Sequence, residues 1–206
     1  MYNFEGFIGD GNSIWIAVIA AVVAYFIGNI SPAILIGKAH GIDIKKEGSG
    51  NAGTTNVLRV LGKKAAVATL VIDVLKGTLA VVLGGLLLGQ QVAMICVIAV
   101  FCGHVWPALF GFKGGKGVAT AFGALMGLNP CLGLACLGVV AVGVLVSRRM
   151  SVGSILGALT FPILAYFLEP DFILLGSVLA LIILVKHRGN IGRLVRGEEP
   201  KMGAKK

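Results

Sequence analysis

The sequence predicts an all-α integral membrane protein, a single domain over residues 1–206 folded as a bundle of seven transmembrane helices. Of its 206 residues, 57% are apolar and 13% are charged, whereas soluble proteins average about 25% charged residues. Apolar runs of membrane-spanning length fill most of the chain, and the basic residues lie between those runs. A net charge of +9 therefore indicates loops facing the cytoplasm rather than a nucleic-acid partner.

Six apolar runs approach the length of about 20 residues that crosses a bilayer as a helix. They are Ser13–Ile36, Ala65–Leu88, Val92–Phe112, Pro130–Val146, Val152–Leu168 and Phe172–Lys186. A further run, Val118–Leu128, would reach only about 16 Å at about 1.5 Å per residue. We expect it to form a short helix directly after the Gly-Gly-Lys-Gly loop.

Alternating these seven segments across the bilayer separates the charges. One side receives the basic stretches Lys38–Lys64, Lys113–Lys116 and Arg148–Arg149 and the tail that begins at Lys186–His187. The other side receives Glu5, Asp10, Glu169 and Asp171, without Lys or Arg. The positive-inside rule then predicts an external N-terminus and a cytoplasmic C-terminus. Without the short helix, the later basic loops would lie outside.

Two patterns that other classes of protein would show are missing from the sequence. The N-terminal residues carry acids and no Lys or Arg, so they lack the basic region of a cleavable signal peptide. Four cysteines lie within apolar runs without CxxC spacing, namely Cys96, Cys102, Cys131 and Cys136. We expect buried thiols rather than a disulfide or zinc framework.

The first cytoplasmic loop, from Gly48 to Arg59, reads G-S-G-N-A-G-T-T-N-V-L-R. Glycines in such a loop can turn backbone N–H groups toward one anion, and an Arg fork suits phosphate. A flexible connector would not require Asn or Arg here, and the G-x-G-x-x-G match lacks the strand of a dinucleotide site. The candidate phosphate ligands are Ser49, Gly50, Asn51, Asn56 and Arg59.

The second loop, Lys113-Gly114-Gly115-Lys116-Gly117, leads directly into the short helix. Free N–H groups and the positive end of a helix dipole beside Lys116 make an anion site. A Walker A motif would need Gly in place of Phe110 and Ser or Thr in place of Gly117. The loop therefore predicts phosphate binding without implying a nucleotide.

Two later stretches add polar groups on the same side. Ser151 can cap the helix that follows Arg148–Arg149, which leaves Ser154 as a candidate ligand. The tail carries His187, Arg188 and Asn190. Its apolar residues have helical spacing, so it can also lie along anionic lipid.

Ionisable residues also occur inside the spans. Asp73 and Lys76 are three residues apart and share a helix face, and their depth makes them a functional hypothesis. A structural ion pair within one helix is the other reading. His104 either fastens the third span near Pro107 or points into the site.

By themselves, these residues predict a membrane protein that binds a phosphate-bearing small molecule. A transporter or permease for such an anion would also use Asp73 and Lys76, but it predicts a midplane site. A non-catalytic lipid-binding subunit is the third reading. The sequence gives no Ser/Cys–His–Asp arrangement and no paired carboxylates for a metal.

Three segments make a specific resemblance. G-S-G-N-A-G-T-T-N-V-L-R from Gly48, G-H-V-W-P-A-L-F-G-F-K-G-G-K-G-V-A-T from Gly103 and H-R-G-N-I-G-R-L-V-R-G-E-E from His187 resemble the signature regions of the bacterial acyl-phosphate:glycerol-3-phosphate acyltransferases. The resemblance implies transfer of a fatty acyl group from acyl phosphate to the 1-hydroxyl of glycerol 3-phosphate, giving lysophosphatidate and phosphate, the first step of phospholipid synthesis.

The same resemblance implies an active site on the cytoplasmic face of the bacterial inner membrane. Lys116, His187 and Arg59 become the catalytic candidates. The substrate-phosphate ligands become Ser49, Gly50, Asn51, Asn56, Gly114, Gly115, Gly117, Ser154, Arg188 and Asn190. We expect no metal, no cofactor and no obligate protein partner. The proton of the attacking hydroxyl would go to His187 or to a phosphate oxygen of the donor, which we favour.

Overall fold

The computed structural model describes residues 11–202, with side-chain exposure described from Ile14. The predicted outer segment with Glu5 and Asp10, and the expectation about a signal peptide, concern residues outside this range. Within them, all regular structure is helical. The helices are α1 Gly11–Asn29, α2 Pro32–Ala39, α3 Thr54–Leu61, α4 Lys63–Leu88, α5 Gln90–Val105, α6 Val118–Leu128, α7 Pro130–Ser147, α8 Met150–Leu168, α9 Ile173–Lys186 and α10 Arg188–Val195.

Most of these helices suit a membrane. Five segments are long and apolar enough to cross it, and the pair α9–α10, bent by 55°, makes a sixth. Helix α6 has 11 residues and occupies the run expected to be short. Helices α2, α3 and α10 have 8 residues each and flank the polar loops.

Proline sets two boundaries that the sequence analysis placed wrongly. The first apolar run is interrupted after Asn29, and Pro32 begins α2 after Ser31, because proline fits the first turn of a helix. The third run ends as a helix at Val105 rather than at Phe112. Pro107 disfavours helical backbone in the residue before it, and a 3-10 turn, Ala108–Phe110, follows.

Helix α5 is the centre of the bundle. Its side chains Val92, Val97, Val100, Phe101 and Val105 are fully buried. It packs against α1, α4, α6 and α9, while α7 and α8 pack on each other at the side. Outer faces of the bundle remain apolar and exposed, as at Leu86, Leu145 and Val146, which is the pattern that lipid requires.

Glycine allows two helix pairs to touch backbone to backbone. An added Cβ at Gly28 of α1 would lie 3.0 Å from the Cα of Gly103 in α5. In the same way, an added Cβ at Gly123 of α6 would lie 2.9 Å from the Cα of Val74 in α4. Close approach of this kind is how membrane helices gain packing where the hydrophobic effect offers little.

Polar contacts gather at both ends of the bundle. At one end, Glu169 accepts hydrogen bonds from Gln90 Nε2 at 2.6 Å and from Asn129 Nδ2 at 3.0 Å. At the other end, Lys45 Nζ donates to the carbonyl of Phe110 at 2.8 Å, and Arg149 Nε donates to that of Glu199 at 2.8 Å. The basic loops thus meet one another, away from Glu169.

The cysteine prediction is only half right. Cys96 and Cys136 are buried, Cys102 is half-buried and Cys131 is exposed, and all four are free thiols. Cys131 lies in the first turn of α7, on the outer surface of the bundle. Apolar surroundings in a membrane protein include lipid, so an apolar run does not distinguish a core position from an outer one.

The close approach of α4 and α6 predicts that Gly123→Ala destabilises the protein by about 1–3 kcal/mol, because the added methyl group overpacks the contact with Val74. Thermal unfolding of the detergent-solubilised protein measures the loss. The matched control is Gly138→Ala in α7, whose added Cβ would meet nothing within 4 Å. Equal melting temperatures for the two variants would contradict this packing argument.

Candidate active site

Lys116 stands at the end of the second loop, directly before α6. Gly117 adopts a left-handed conformation with φ of +86°, and the ring of Phe101 occupies the space that a side chain there would need. This turn directs Lys116 toward the C-terminal helix, where its ammonium donates a hydrogen bond to Asn190 Oδ1. Two candidates that are 74 residues apart in sequence are therefore in contact.

Glu199 holds Asn190 in this position. Its carboxylate accepts hydrogen bonds from Asn190 Nδ2 at 2.6 Å, from Ser151 Oγ at 2.7 Å and from Arg193 Nε at 2.7 Å. The residue is only 5% exposed. Sequence analysis missed it as a site residue, although an acidic pair in an otherwise basic tail was a usable signal.

The electrostatic environment of Lys116 is strongly positive. Burial, and after it the charges of Arg193, Arg59 and Lys186, together lower the pKa of its ammonium from 10.5 to about 8, against the opposing effect of Glu199. Arg59 itself is exposed on α3. Its charge therefore reaches the space around Lys116.

His187 is buried beside this group. Its Nδ1 lies 2.8 Å from the carbonyl of Ile183, which places the proton on Nδ1 and leaves Nε2 as an acceptor. Burial and the nearby charge of Lys116 lower the pKa of the imidazole to about 4. The ring is thus neutral at physiological pH and can only be a weak base.

The first loop is shaped by Asn56. This side chain is fully buried, and its Oδ1 accepts the N–H of Ser49 at 2.8 Å. Its Nδ2 donates to the carbonyls of Ile44 at 3.1 Å and Glu47 at 3.0 Å. The amide is fully used inside the loop. We had expected Asn56 to contact phosphate, but it positions the loop instead.

Glycine amides are similarly engaged. The N–H of Gly50 donates to Glu47 at 2.9 Å, that of Gly114 to Val105 at 3.2 Å and that of Gly115 to His104 at 3.2 Å. These three N–H groups are thus not free to bind an anion in this arrangement, which corrects the expectation for them. Their contribution is to let the loop lie close to the end of α5.

The remaining candidates differ in placement. Ser154 is buried, and its hydroxyl donates to the carbonyl of Met150 at 2.9 Å in its own helix. Ser49 is exposed and Asn51 half-buried in the first loop. Arg188 is exposed, and its nearest hydrogen bond is to Val185 at 3.3 Å. The structure thus gathers Lys116, Asn190 and His187, with the charge of Arg59 acting on Lys116.

Comparison with known proteins gives the same family throughout. The family model described as glycerol-3-phosphate acyltransferase matches residues 18–197. A glycerol-3-phosphate acyltransferase of Thermoanaerobacter sp. (strain X514) is 45% identical over 192 residues, with 92% of this chain and 97% of the relative covered. The one from Clostridioides difficile (strain 630) is 43% identical over 200 residues, with the same 92% and 97% covered.

Two solved structures have the same fold. Both are of PlsY, an integral membrane glycerol 3-phosphate acyltransferase, at 34% identity. The glycerol 3-phosphate form has a TM-score of 0.86 over 91% of this chain and 96% of that one. The lysophosphatidic acid form has a TM-score of 0.83 over 91% and 95%. The predicted all-helical membrane architecture is thus confirmed.

Glu199→Gln should destabilise the protein by about 2 kcal/mol, because a buried carboxylate that accepts charge-assisted hydrogen bonds becomes an amide facing other donors. Melting temperature in detergent is the measurement. Glu198→Gln is the matched control, since Glu198 pairs with Arg196 in an ion pair more than half exposed, worth little. Equal effects at the two positions would contradict the anchoring role.

Proposed function

The chain belongs to the glycerol-3-phosphate acyltransferase family, and we propose that its acyl donor is acyl phosphate, used without coenzyme A or acyl carrier protein. The enzyme transfers the acyl group to glycerol 3-phosphate, on our proposal at the 1-hydroxyl. The products are 1-acylglycerol 3-phosphate and inorganic phosphate. Membership of this family favours an acyltransferase over the permease considered as the alternative.

The observation that carries this proposal is the positive charge around Lys116. The four cations Lys116, Arg59, Arg193 and Lys186 act on one space, opposed by the single carboxylate of Glu199. Arg193 is already paired with that carboxylate. Three cations remain, and two of them would balance one phosphate dianion. The third leaves positive charge for a second phosphate group, which supports a site that takes two phosphate-bearing substrates.

The reaction needs little covalent chemistry from the protein. The hydroxyl oxygen of glycerol 3-phosphate attacks the carbonyl carbon of the acyl phosphate, forming the ester C–O bond. The carbonyl–oxygen bond to phosphate then breaks, and phosphate leaves with the electron pair. Because the donor is an activated anhydride, orientation of the two substrates and charge stabilisation supply the acceleration.

The hydroxyl proton passes to an oxygen of the departing phosphate. A phosphate group with a second pKa of about 6 is a stronger base than the imidazole of His187, whose pKa is about 4. In this scheme His187 accepts a hydrogen bond from a substrate through Nε2 and holds it in place. General-base catalysis by His187 is the alternative that the sequence analysis left open.

The other candidates fall into two groups. Lys116 and Arg59 neutralise phosphate charge, with Asn190 fixing the direction of the Lys116 ammonium. Ser49, Asn51, Arg188 and the N–H of Gly117 are the remaining donors that substrate can meet. Ser154 could join them only by giving up its hydrogen bond to the carbonyl of Met150. Asn56, Gly50, Gly114 and Gly115 shape the two loops.

We also propose seven crossings, an external N-terminus and a site on the cytoplasmic face of the bacterial inner membrane. The contact of Lys116 with Asn190 supports this count. Helices α6, α7, α8 and α9 separate the two residues. If α7, α8 and α9 cross the membrane, the chain returns to the same side only if α6 crosses as well. The short α6 therefore acts as a crossing, and the positive-inside rule gives the orientation.

The active unit is, on our proposal, the single domain of residues 1–206, without a cofactor, a nucleic-acid ligand or an obligate protein partner. The acyl chain of the donor remains in the surrounding membrane lipid, while its phosphate reaches the charged site.

Purified protein in detergent, given acyl phosphate and glycerol 3-phosphate, should release phosphate. Lys116→Ala should lower this rate by roughly a hundredfold or more, as for loss of one preorganised charge donor. Lys113→Ala is the matched control, because Lys113 is an exposed lysine of the same loop and should leave the rate unchanged. Equal turnover with acyl-coenzyme A would refute the proposed donor.

The rate should also depend on the protonation of Lys116. Since its pKa is about 8, the free enzyme loses this charge as pH rises through that value, and the KM for glycerol 3-phosphate should increase. Lys116→Arg keeps its charge in this range, so its KM should stay flat even if its kcat is lower. Steady-state kinetics from about pH 7 to about pH 10 measure the KM of both enzymes. If KM rises with pH in the same way for both, Lys116 is not the titrating group.

A further inference from the structure

Three ionisable side chains are buried in the helical part of the bundle, apart from the cluster around Lys116. Asp73 and Lys76 lie on α4 and His104 lies on α5, with exposures of 1%, 5% and 6%. Lys76 Nζ is 2.7 Å from Asp73 Oδ1 and 3.0 Å from His104 Nδ1. Ionisable groups at such positions are costly and rarely serve packing alone.

The ammonium of Lys76 has three polar neighbours. Besides Asp73 and His104, it donates to the carbonyl of Ile30 at 2.6 Å. Ile30 lies in the break between α1 and α2, so Lys76 ties that break to α4 and α5. His104 Nδ1 also lies 3.3 Å from Asp73 Oδ1. When Nδ1 accepts from the nearer Lys76 ammonium, the imidazole proton is assigned to Nε2.

His104 turns this Nε2 edge toward the second loop. A Cβ added to Gly115 would overlap Nε2 of His104, and it would also lie 2.8 Å from the carbonyl oxygen of Ala52 in the first loop. Gly115 is thus the point at which the imidazole and both loops meet. Only a residue without a side chain fits there.

The backbone reinforces the same junction. The N–H groups of Gly114 and Gly115 donate to the carbonyls of Val105 and His104, each at 3.2 Å. The second loop therefore lies on the last turn of α5, with Lys116 one residue beyond this contact. A shift of the His104 ring would move Gly115 and, with it, the ammonium of Lys116.

We propose that Asp73, Lys76 and His104 form a positioning triad that fixes the junction of the two loops and thereby sets the affinity of the site for glycerol 3-phosphate. Asp73 and Lys76 hold the His104 ring, and the ring supports Gly115 against Ala52. This inference rests on the proposed function, because it takes the loops to be the phosphate-binding elements. None of the three residues touches the reacting atoms in this scheme.

A purely structural ion pair predicts a different result. Replacement of a buried pair by apolar residues of similar volume is often neutral for stability, so Asp73→Leu/Lys76→Met can fold without the pair. A structural role would then leave ligand affinity unchanged. A positioning role would weaken it, because a displacement of about 1 Å at a site can cost two orders of magnitude.

The decisive measurement is the Kd for glycerol 3-phosphate by isothermal titration calorimetry on the detergent-purified full chain. We expect roughly a tenfold or greater rise for Asp73→Leu/Lys76→Met and for His104→Asn, with wild-type melting temperatures without ligand. His104→Gln should recover much of the affinity, because its amide reaches the former Nε2 position. Thr78→Val is the control. Thr78 likewise joins α4 to another helix, by donating to the carbonyl of Gly123 in α6 at 2.7 Å, but this contact does not involve the two loops.

Wild-type affinity in folded Asp73→Leu/Lys76→Met and His104→Asn proteins would overturn the proposal, as would an equal loss in Thr78→Val. If the double variant does not fold, the comparison of His104→Asn with His104→Gln decides, since both keep the ion pair. Equal affinities for those two would also overturn it. If acyl phosphate is not the donor, only the turnover assay would show it. The Kd for glycerol 3-phosphate is measured without a donor, so the comparison of these variants would still be valid.

Discussion

The hydrogen bond between Lys116 and Asn190 is the contact on which the arrangement of the site depends. It joins the loop before α6 to the helix after α9. The start of α6 and the end of α9 therefore lie at the same end of the bundle. It also fixes the direction of an ammonium whose pKa burial and the neighbouring cations lower to about 8, so that it is a stronger acid than an exposed lysine. A phosphate ligand beside this ammonium would favour its protonated, charged form.

The C-terminal tail completes this contact from outside the bundle. Glu199 draws Asn190, Ser151 and Arg193 onto one carboxylate, and Met202 N–H donates to the carbonyl of Arg148 at 2.7 Å. The tail is thus bound to the loop between α7 and α8 instead of serving only as a basic surface. A lone carboxylate among cations is stable here because each of its oxygens is bonded.

Membrane packing explains why the scaffold can hold such precise positions. Helices without a hydrophobic incentive to associate rely on close contact at small residues, and Gly28, Gly103 and Gly123 supply it. Asp73, Lys76 and His104 add polar contacts between buried side chains. Together they fix the end of α5, which carries the loop of Lys116.

The sequence by itself determined the helical membrane class, the short α6, the polar loops and the family, because each follows from local hydropathy or from contiguous motifs. Lys116 and Asn190 were among the candidates predicted from the sequence, and Glu199, which anchors Asn190 in the structure, was not. Only the tertiary structure decided that Asn56, Gly50, Gly114 and Gly115 are engaged within the protein, that Cys131 lies outward, and that His104 joins Asp73 and Lys76. Those outcomes depend on which atoms from distant segments meet, and hydrogen-bond partners across a bundle leave no periodicity in the chain.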